Sequence, residues 1–99
     1  MYIYNVTVTI EKEIQGAWLS WMKTVHIPDV MRTGVFIENK ICKLITEDES
    51  EITYAIQYTF RTMNDINRYQ KEFAPKFQQE HREKFNEKFA AFRTILEII

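Results

Sequence analysis

The first ten residues alternate between apolar and polar positions. One side of this segment carries Tyr2, Tyr4, Val6, Val8 and Ile10, and the other carries Ile3, Asn5, Thr7 and Thr9. This period of two predicts a β-strand over residues 2–10. From residue 11 to about residue 25 the apolar spacing changes to three and four, through Ile14, Ala17, Trp18, Trp21, Met22 and Val25. That spacing predicts an amphipathic helix packed on a sheet.

The rest of the chain repeats this order with one addition. Residues 35–46 and 52–60 are rich in β-branched and aromatic side chains and predict two strands, joined by an acidic hairpin tip at residues 47–51. Residues 65–73 return to the helical period, and Ala74-Pro75 interrupts it before Phe77, His81 and Phe85 continue at spacing four. A bent or two-piece second helix is therefore expected, followed by an apolar strand over residues 89–99.

The predicted order β-α-β-β-α-β is that of the ferredoxin-like fold, an α+β architecture. Right-handed crossovers place the first and third strands at the centre of one antiparallel four-stranded sheet, with both helices on the same face. We expect a single domain over residues 1–99. The opposite face of its sheet is left open, so it must be polar or find a partner.

The open face is predicted to be a polar floor with apolar margins. Asn5, Thr7, Gln57 and Thr59 fall on it, together with Arg93 and Glu97 if the last strand has the same parity. The second and fourth strands are apolar on both faces, which is more than one helix layer covers. Two open faces stacked on each other bury this excess around a partly polar cavity, so the pattern predicts a homodimer.

Composition removes several classes of function. The chain has 99 residues, 45% of them apolar, and a formal net charge of −1, so no cationic field favours nucleic acid or a membrane surface. Its one cysteine, Cys42, and the lack of a secretory pattern fit a reducing cytoplasm. No cofactor is expected, and no metal, because a zinc site takes three or four ligands and the chain offers pairs such as His26 with Asp29.

His26 is the candidate catalytic residue, in the run SWMKTVHIPDVMRTG. Pro28 disfavours helical geometry at Ile27 and suits the start of a new short helix, and Gly34 suits a left-handed stop. One interpretation makes His26 a cap of the first helix, donating to its free carbonyls. The other makes it an acid, a base or a polar anchor that points into the mouth of the barrel. The sequence leaves both open.

Five further residues are candidate ligand contacts: Asn5, Gln57, Arg93, Trp18 and Tyr58. The first three offer two amides and a guanidinium to one cavity, which suits a small carbonyl or carboxylate compound. A hydrogen-bonded network that fixes the dimer register is an equal alternative for them. Trp18 also fits a core or dimer contact. His81, among charged residues, is expected to be an exposed helix residue.

Four blocks in this order resemble a family of small uncharacterised bacterial proteins catalogued as a domain of unknown function. They are YNVTV, W-M-K-x-x-H-I-P-x-V-M-x-T-G, T-Y-A-I-Q-Y and A-F-R-T-x-L-E, and they span nearly the whole chain. The resemblance implies a ferredoxin-like dimeric α/β-barrel, in a superfamily that includes cofactor-free monooxygenases, haem-degrading enzymes, isomerases and dehydratases. It does not supply an activity.

The sequence therefore predicts a small-molecule binding protein, with the ligand between stacked sheets and cofactor-free acid–base or oxygenase-type chemistry as an extension. The alternative is a dimerisation or protein-interaction module without a ligand cavity. Whether the protein is an enzyme stays open at this level.

Overall fold

The computed structural model describes residues 1–48 and 50–99. The strands are β1 (Tyr2–Glu11), β2 (Glu38–Lys43), β3 (Glu51–Phe60) and β4 (Phe89–Glu97). The helices are α1 (Gln15–Trp21), α2 (Ile27–Arg32), α3 (Met63–Glu72) and α4 (Ala74–Phe85), with a short 3₁₀ turn at Lys12–Ile14 and a π-helical turn at Met22–His26. Within the described residues, no helix reaches the length and apolarity needed to cross a membrane.

The four strands form one sheet in the order β2-β3-β1-β4, with every pair antiparallel. The central position of β1 and β3 confirms the predicted α+β ferredoxin-like fold. Directly paired residues on antiparallel strands point to the same face, so the register assigns each side chain to a layer. The apolar sets of β1 and β3 face the helices, and Tyr4 opposite Tyr58 and Val8 opposite Tyr54 are buried there.

The second helical segment is made of two pieces, as predicted. Thr62 caps α3 by accepting a hydrogen bond from the Asp65 backbone N–H, and the Asp65 side chain accepts one from the Thr62 N–H in return. Pro75 lies in the first turn of α4, where its missing N–H costs no helical hydrogen bond. The apolar side of both pieces, with Ile66, Tyr69 and Phe77, packs on the sheet.

A π-helical turn joins α1 to α2 and changes the predicted pattern. The Ile27 N–H donates to the Met22 carbonyl, five residues back. Pro28 has no N–H, so an α-helical ladder through this region would lack a donor for the Thr24 carbonyl. The wider turn shifts the inward-facing side by one residue: Val25, predicted to be on the apolar stripe, is 41% exposed, and His26 turns inward instead.

The predicted second strand is longer than the observed one. Val35 and Phe36 precede β2 and are buried in the core, where the Phe36 ring lies 5.0 Å from that of Tyr58 and 4.8 Å from that of Tyr69. Val35 and Phe36 therefore lie outside the sheet, because they pack in the core between the sheet and the helices. The predicted hairpin tip at residues 47–51 includes Glu49, which lies outside the described residues. Gly34 has φ +78°, the left-handed stop that the sequence predicts.

Candidate functional site

A small chamber lies between the sheet and the helix layer, on the face opposite the open one. Its free volume is about 40 Å³. The polar lining consists of Tyr4, His26, Tyr58, Tyr69, Gln78, His81 and Arg93, and the apolar lining includes Met22, Phe77 and Val6. The π-helical turn, both helical pieces α3 and α4, and three strands of the sheet (β1, β3 and β4) thus place polar groups around one space.

His26 enters the chamber from the π-helical turn. Its ring stacks on Trp21, with centroids 5.1 Å apart, and meets the edge of Phe77 at 5.9 Å. The helical backbone continues through His26 to Arg32, and the His26 side chain makes no capping hydrogen bond. The capping interpretation is therefore wrong, because this turn has no free helix end for the imidazole to cap. Among the described residues, the buried Nδ1 of His26 has no hydrogen-bond partner.

Tyr58 presents a second buried polar atom without a partner. The residue is 2% exposed, and its hydroxyl oxygen finds no hydrogen-bond partner within residues 1–48 and 50–99. A buried hydroxyl that makes no hydrogen bond costs about 1–3 kcal/mol. Two such atoms, on Tyr58 and on His26, line the same chamber. That coincidence indicates a space that is completed by water or by a ligand.

His81 is the largest departure from the expected site. It was expected to be an exposed helix residue, but it is 8% exposed and lines the chamber. The Trp18 indole Nε1–H donates to His81 Nε2 over 2.8 Å. Because Nε2 accepts this bond, the proton of the neutral imidazole is on Nδ1. Trp18 itself is fully buried, as its place on the apolar stripe predicts.

Burial keeps both histidines neutral near pH 7. Desolvation lowers the pKa of His26 to about 4, the Asp29 carboxylate opposes this shift, and the Arg93 charge adds to it. Burial also lowers the pKa of His81 to about 4, helped by His26 and by Arg93. Burial raises the pKa of Tyr58 and of Tyr69 far above the usual tyrosine value, so both hydroxyls remain protonated donors.

Arg93 lies on the chamber side of the sheet, and the prediction that placed it on the open face is wrong. It pairs with Val6, whereas Asn5 pairs with Thr94 and with Gln57. Arg93 is therefore on the face opposite the two amides, and the predicted set of Asn5, Gln57 and Arg93 around one cavity is wrong. Glu97 pairs with Tyr2 and is likewise on the helix side.

The two amides lie on the open face and satisfy each other. Gln57 Nε2 donates to Asn5 Oδ1 over 3.2 Å, and Asn5 Nδ2 donates to the hydroxyls of Thr7 and Thr94 at 3.2 and 3.3 Å. Thr9 and Thr53 share a further bond of 2.8 Å. We call this the threonine–amide ladder. Its internal pairing favours the network alternative over ligand contact for Asn5 and Gln57.

The described part of the chain contains no cluster of three or more metal-ligating side chains. His26 and His81 have ring centroids 6.2 Å apart, with the Trp21 ring packed against both. One nitrogen of His81 is already used by Trp18. The chamber is thus equipped with hydrogen-bond donors, one cation and neutral imidazoles.

Fold and site together define a ferredoxin-like α+β protein with a polar chamber under its helices. The chain belongs to the family described as a domain of unknown function (DUF4286), whose model matches residues 1–99. No curated protein matches the chain significantly.

Solved structures share the fold at low sequence identity. A dimeric ferredoxin-like protein from an uncultured marine organism is 13% identical, with a TM-score of 0.74, covering 100% of this chain and 95% of that one. An ethyl tert-butyl ether D family protein from Bacillus halodurans is 9% identical, with a TM-score of 0.71 and full coverage of both chains. A candidate antibiotic biosynthesis monooxygenase from Nitrosomonas europaea is 15% identical, with a TM-score of 0.71, covering 99% and 89%. These likenesses show the fold alone.

Sequence reasoning missed part of the chamber, although one signal was available. His81 falls between Phe77 and Phe85 at spacing four, on the apolar side of α4, and a polar residue there is directed at the core. Tyr4 and Tyr69 also line the chamber and carry hydroxyls, but their aromatic rings made them indistinguishable from ordinary core residues.

Proposed function

We propose that this protein is a homodimer in which each subunit binds a small molecule in the chamber between its sheet and its helices. The observation that carries the proposal is the pair of buried, unpartnered polar atoms, His26 Nδ1 and the Tyr58 hydroxyl, in one space within the described residues. Native proteins rarely leave such atoms unpaired, and a ligand or ordered water restores the missing bonds. The proposed site thus lies under the helices rather than between stacked sheets.

His26 is the proposed acid–base group of this site. A neutral imidazole with a free nitrogen accepts a proton from a bound molecule, and the surrounding phenols and Arg93 stabilise the charge that this transfer creates on the ligand. These groups support cofactor-free proton transfer. Several ferredoxin-like neighbours are candidate monooxygenases, and oxygenase-type chemistry is an extension of the same proton abstraction.

The open face is the proposed dimer surface. Phe92 and Leu96 of β4 are exposed there, so an apolar margin borders the threonine–amide ladder along one edge. The other edge is polar, because β2 turns Glu38 and Lys40 to this face, and the prediction that the second strand is apolar on both faces is wrong. One structural neighbour is a dimeric ferredoxin-like protein, which supports assembly as a dimer. We also propose a cytoplasmic location, supported by the exposed free thiol of Cys42, which a reducing compartment would preserve.

Native mass spectrometry of the protein as purified tests both halves of the proposal. We expect a dimer that carries a defined extra mass, and loss of that mass in His26→Ala. Lys23→Ala is the matched control, because Lys23 is exposed on the same π-helical turn. A bare dimer would contradict ligand binding and favour the alternative, an assembly module in which the ladder fixes the register. A monomer would contradict the proposed assembly.

A further inference from the structure

We propose that the chamber receives a carboxylate group of its ligand, with Arg93 at the mouth and the Tyr58 hydroxyl inside. This inference rests on the proposed function, because it names the chemical class that the chamber selects. It is carried by three independent features of the chamber: its charge, its hydrogen-bond donors and its size.

The charge of the chamber is positive and uncompensated. Arg93 lines it, and no aspartate or glutamate is among the described residues that do. Arg93 makes no salt bridge in the part of the chain that the structure describes. Asp29, the acid whose charge acts on His26, is paired with Arg32 on the outer side of α2. A guanidinium without a carboxylate partner, beside two neutral imidazoles, favours an anionic ligand.

The chamber offers donors that suit oxygen acceptors. The Tyr58 hydroxyl is buried and protonated, with no partner among the described residues. His81 has its proton on Nδ1, because Trp18 occupies its Nε2 as a donor. A carboxylate accepts several hydrogen bonds on two oxygens, whereas an amide group of similar shape accepts on one oxygen only.

The size of the chamber matches a carboxylate. A space that holds one water needs roughly 10–15 Å³, so the free volume of about 40 Å³ takes about three heavy atoms. A carboxylate has one carbon and two oxygens. A phosphate group has about five heavy atoms and an aromatic ring needs roughly 150 Å³, so neither fits inside without displacement of the walls. The rest of the ligand extends out of the chamber through its mouth, past the exposed Arg93 and the half-buried Gln78.

A titration with acetate and acetamide tests the inference, because the two probes have the same number of heavy atoms and differ in charge. Trp18 and Trp21 are the two tryptophans of the chain, and each contacts a histidine of the chamber, so their fluorescence reports on the site. We expect acetate to bind with a dissociation constant on the order of 1 mM, and acetamide at least about tenfold more weakly, at constant ionic strength. Inorganic phosphate is the third probe and is expected not to bind.

Two variants locate the acetate. Arg93→Gln should weaken acetate roughly tenfold or more and abolish the preference for acetate over acetamide, while Tyr58→Phe should weaken acetate by a smaller factor of about five. Arg68→Gln is the matched control, since Arg68 is exposed on α3 and does not line the chamber. Arg93 is exposed, so its variant is expected to fold, and circular dichroism checks this.

The outcomes separate this inference from the proposed function. Equal affinity for acetate and acetamide would overturn the carboxylate assignment and leave small-molecule binding intact. Tighter binding of phosphate than of acetate, or no binding of either organic probe, would also overturn it. An acetate signal that survives in Arg93→Gln would place the anion elsewhere and overturn it. Failure of the proposed function is recognised independently, by the mass spectrum of the purified protein.

Discussion

The indole nitrogen of Trp18 and Nε2 of His81 lie 2.8 Å apart, in a buried hydrogen bond that joins α1 to α4. Trp18 is fully buried, and its ring also packs on Tyr54 at 5.0 Å. The bond fixes the tautomer of His81 and opposes its protonation, because a proton on Nε2 would remove the acceptor that Trp18 needs. One contact between helices therefore sets which hydrogen-bonding group the neighbouring chamber receives.

Replacement of Trp18 by phenylalanine should destabilise the protein markedly. Trp18→Phe leaves His81 Nε2 buried without its donor and opens a cavity in the core, at a combined cost of about 2–4 kcal/mol. Trp21→Phe is the matched control, because Trp21 is half-buried and its change should cost at most about 1.5 kcal/mol. Urea denaturation at neutral pH measures both. Equal losses in the two variants would show that the hydrogen bond contributes nothing of its own.

Stability should fall as the solution is acidified below pH 6.5. In the folded state the pKa of both His26 and His81 is about 4, below the ordinary value of 6.5, so the unfolded chain binds protons that the folded chain does not. This contribution is fully present above pH 6.5 and is lost as the pH falls toward 4. By linkage it amounts to up to about 3 kcal/mol for each histidine. Urea denaturation at a series of pH values measures the loss.

A variant that removes one titrating group identifies the source of this pH dependence. His26→Gln keeps a polar side chain but cannot take up a proton in this range, so the loss of stability between neutral pH and pH 4 should shrink by roughly half. Carboxylates titrate near pH 4 as well, but they are common to both proteins and cancel in the comparison. If the free energy of unfolding depends on pH in the same way in His26→Gln and in the parent protein, the assignment to His26 is contradicted.

The sequence was sufficient for the fold because the decisive signals were local and strong. Alternation along residues 2–10 and 52–60 identified both central strands and the faces that bury Tyr4 and Tyr58. Ala74-Pro75 marked the division of the second helical segment into α3 and α4. The order of these elements, with the handedness of their connections, then left one sheet topology.

The site was harder to predict from the sequence, because it depends on the register of β4 and on a one-residue shift in the first helix. The sequence of β4 does not show which of its residues face the helices, since Phe92, Ile95 and Leu96 put apolar residues on both faces. The prediction therefore placed Arg93 on the open face, which is the wrong face of the sheet. The π-helical turn moved His26 inward and Val25 outward, which a uniform helical period does not anticipate. Both errors concern which way a side chain points rather than which element it belongs to.

Removal of Pro28 should move His26 out of the chamber. Pro28→Ala supplies an N–H four residues after the Thr24 carbonyl, and this favours an ordinary α-helical turn in place of the π-helical one. The pKa of His26 should then rise from about 4 toward 6.5 as its ring becomes hydrated. A histidine NMR titration measures this shift, with His81 as the internal control. An unchanged pKa of His26 would mean that packing against Trp21 and Phe77, rather than Pro28, holds the turn.

A charge on the open face should dissociate the proposed dimer without unfolding the subunit. Phe92 is 61% exposed and points to the same face as Thr7, its partner on β1, so Phe92→Asp loses little within one chain. In a two-fold interface each substitution occurs twice, and two buried carboxylates should weaken association on the order of 100-fold or more. Val25→Asp places the same charge at an exposed apolar residue on the helix side and should leave the dimer intact. Sedimentation equilibrium measures the mass of each variant, and dissociation by Val25→Asp instead of Phe92→Asp would place the interface on the helices.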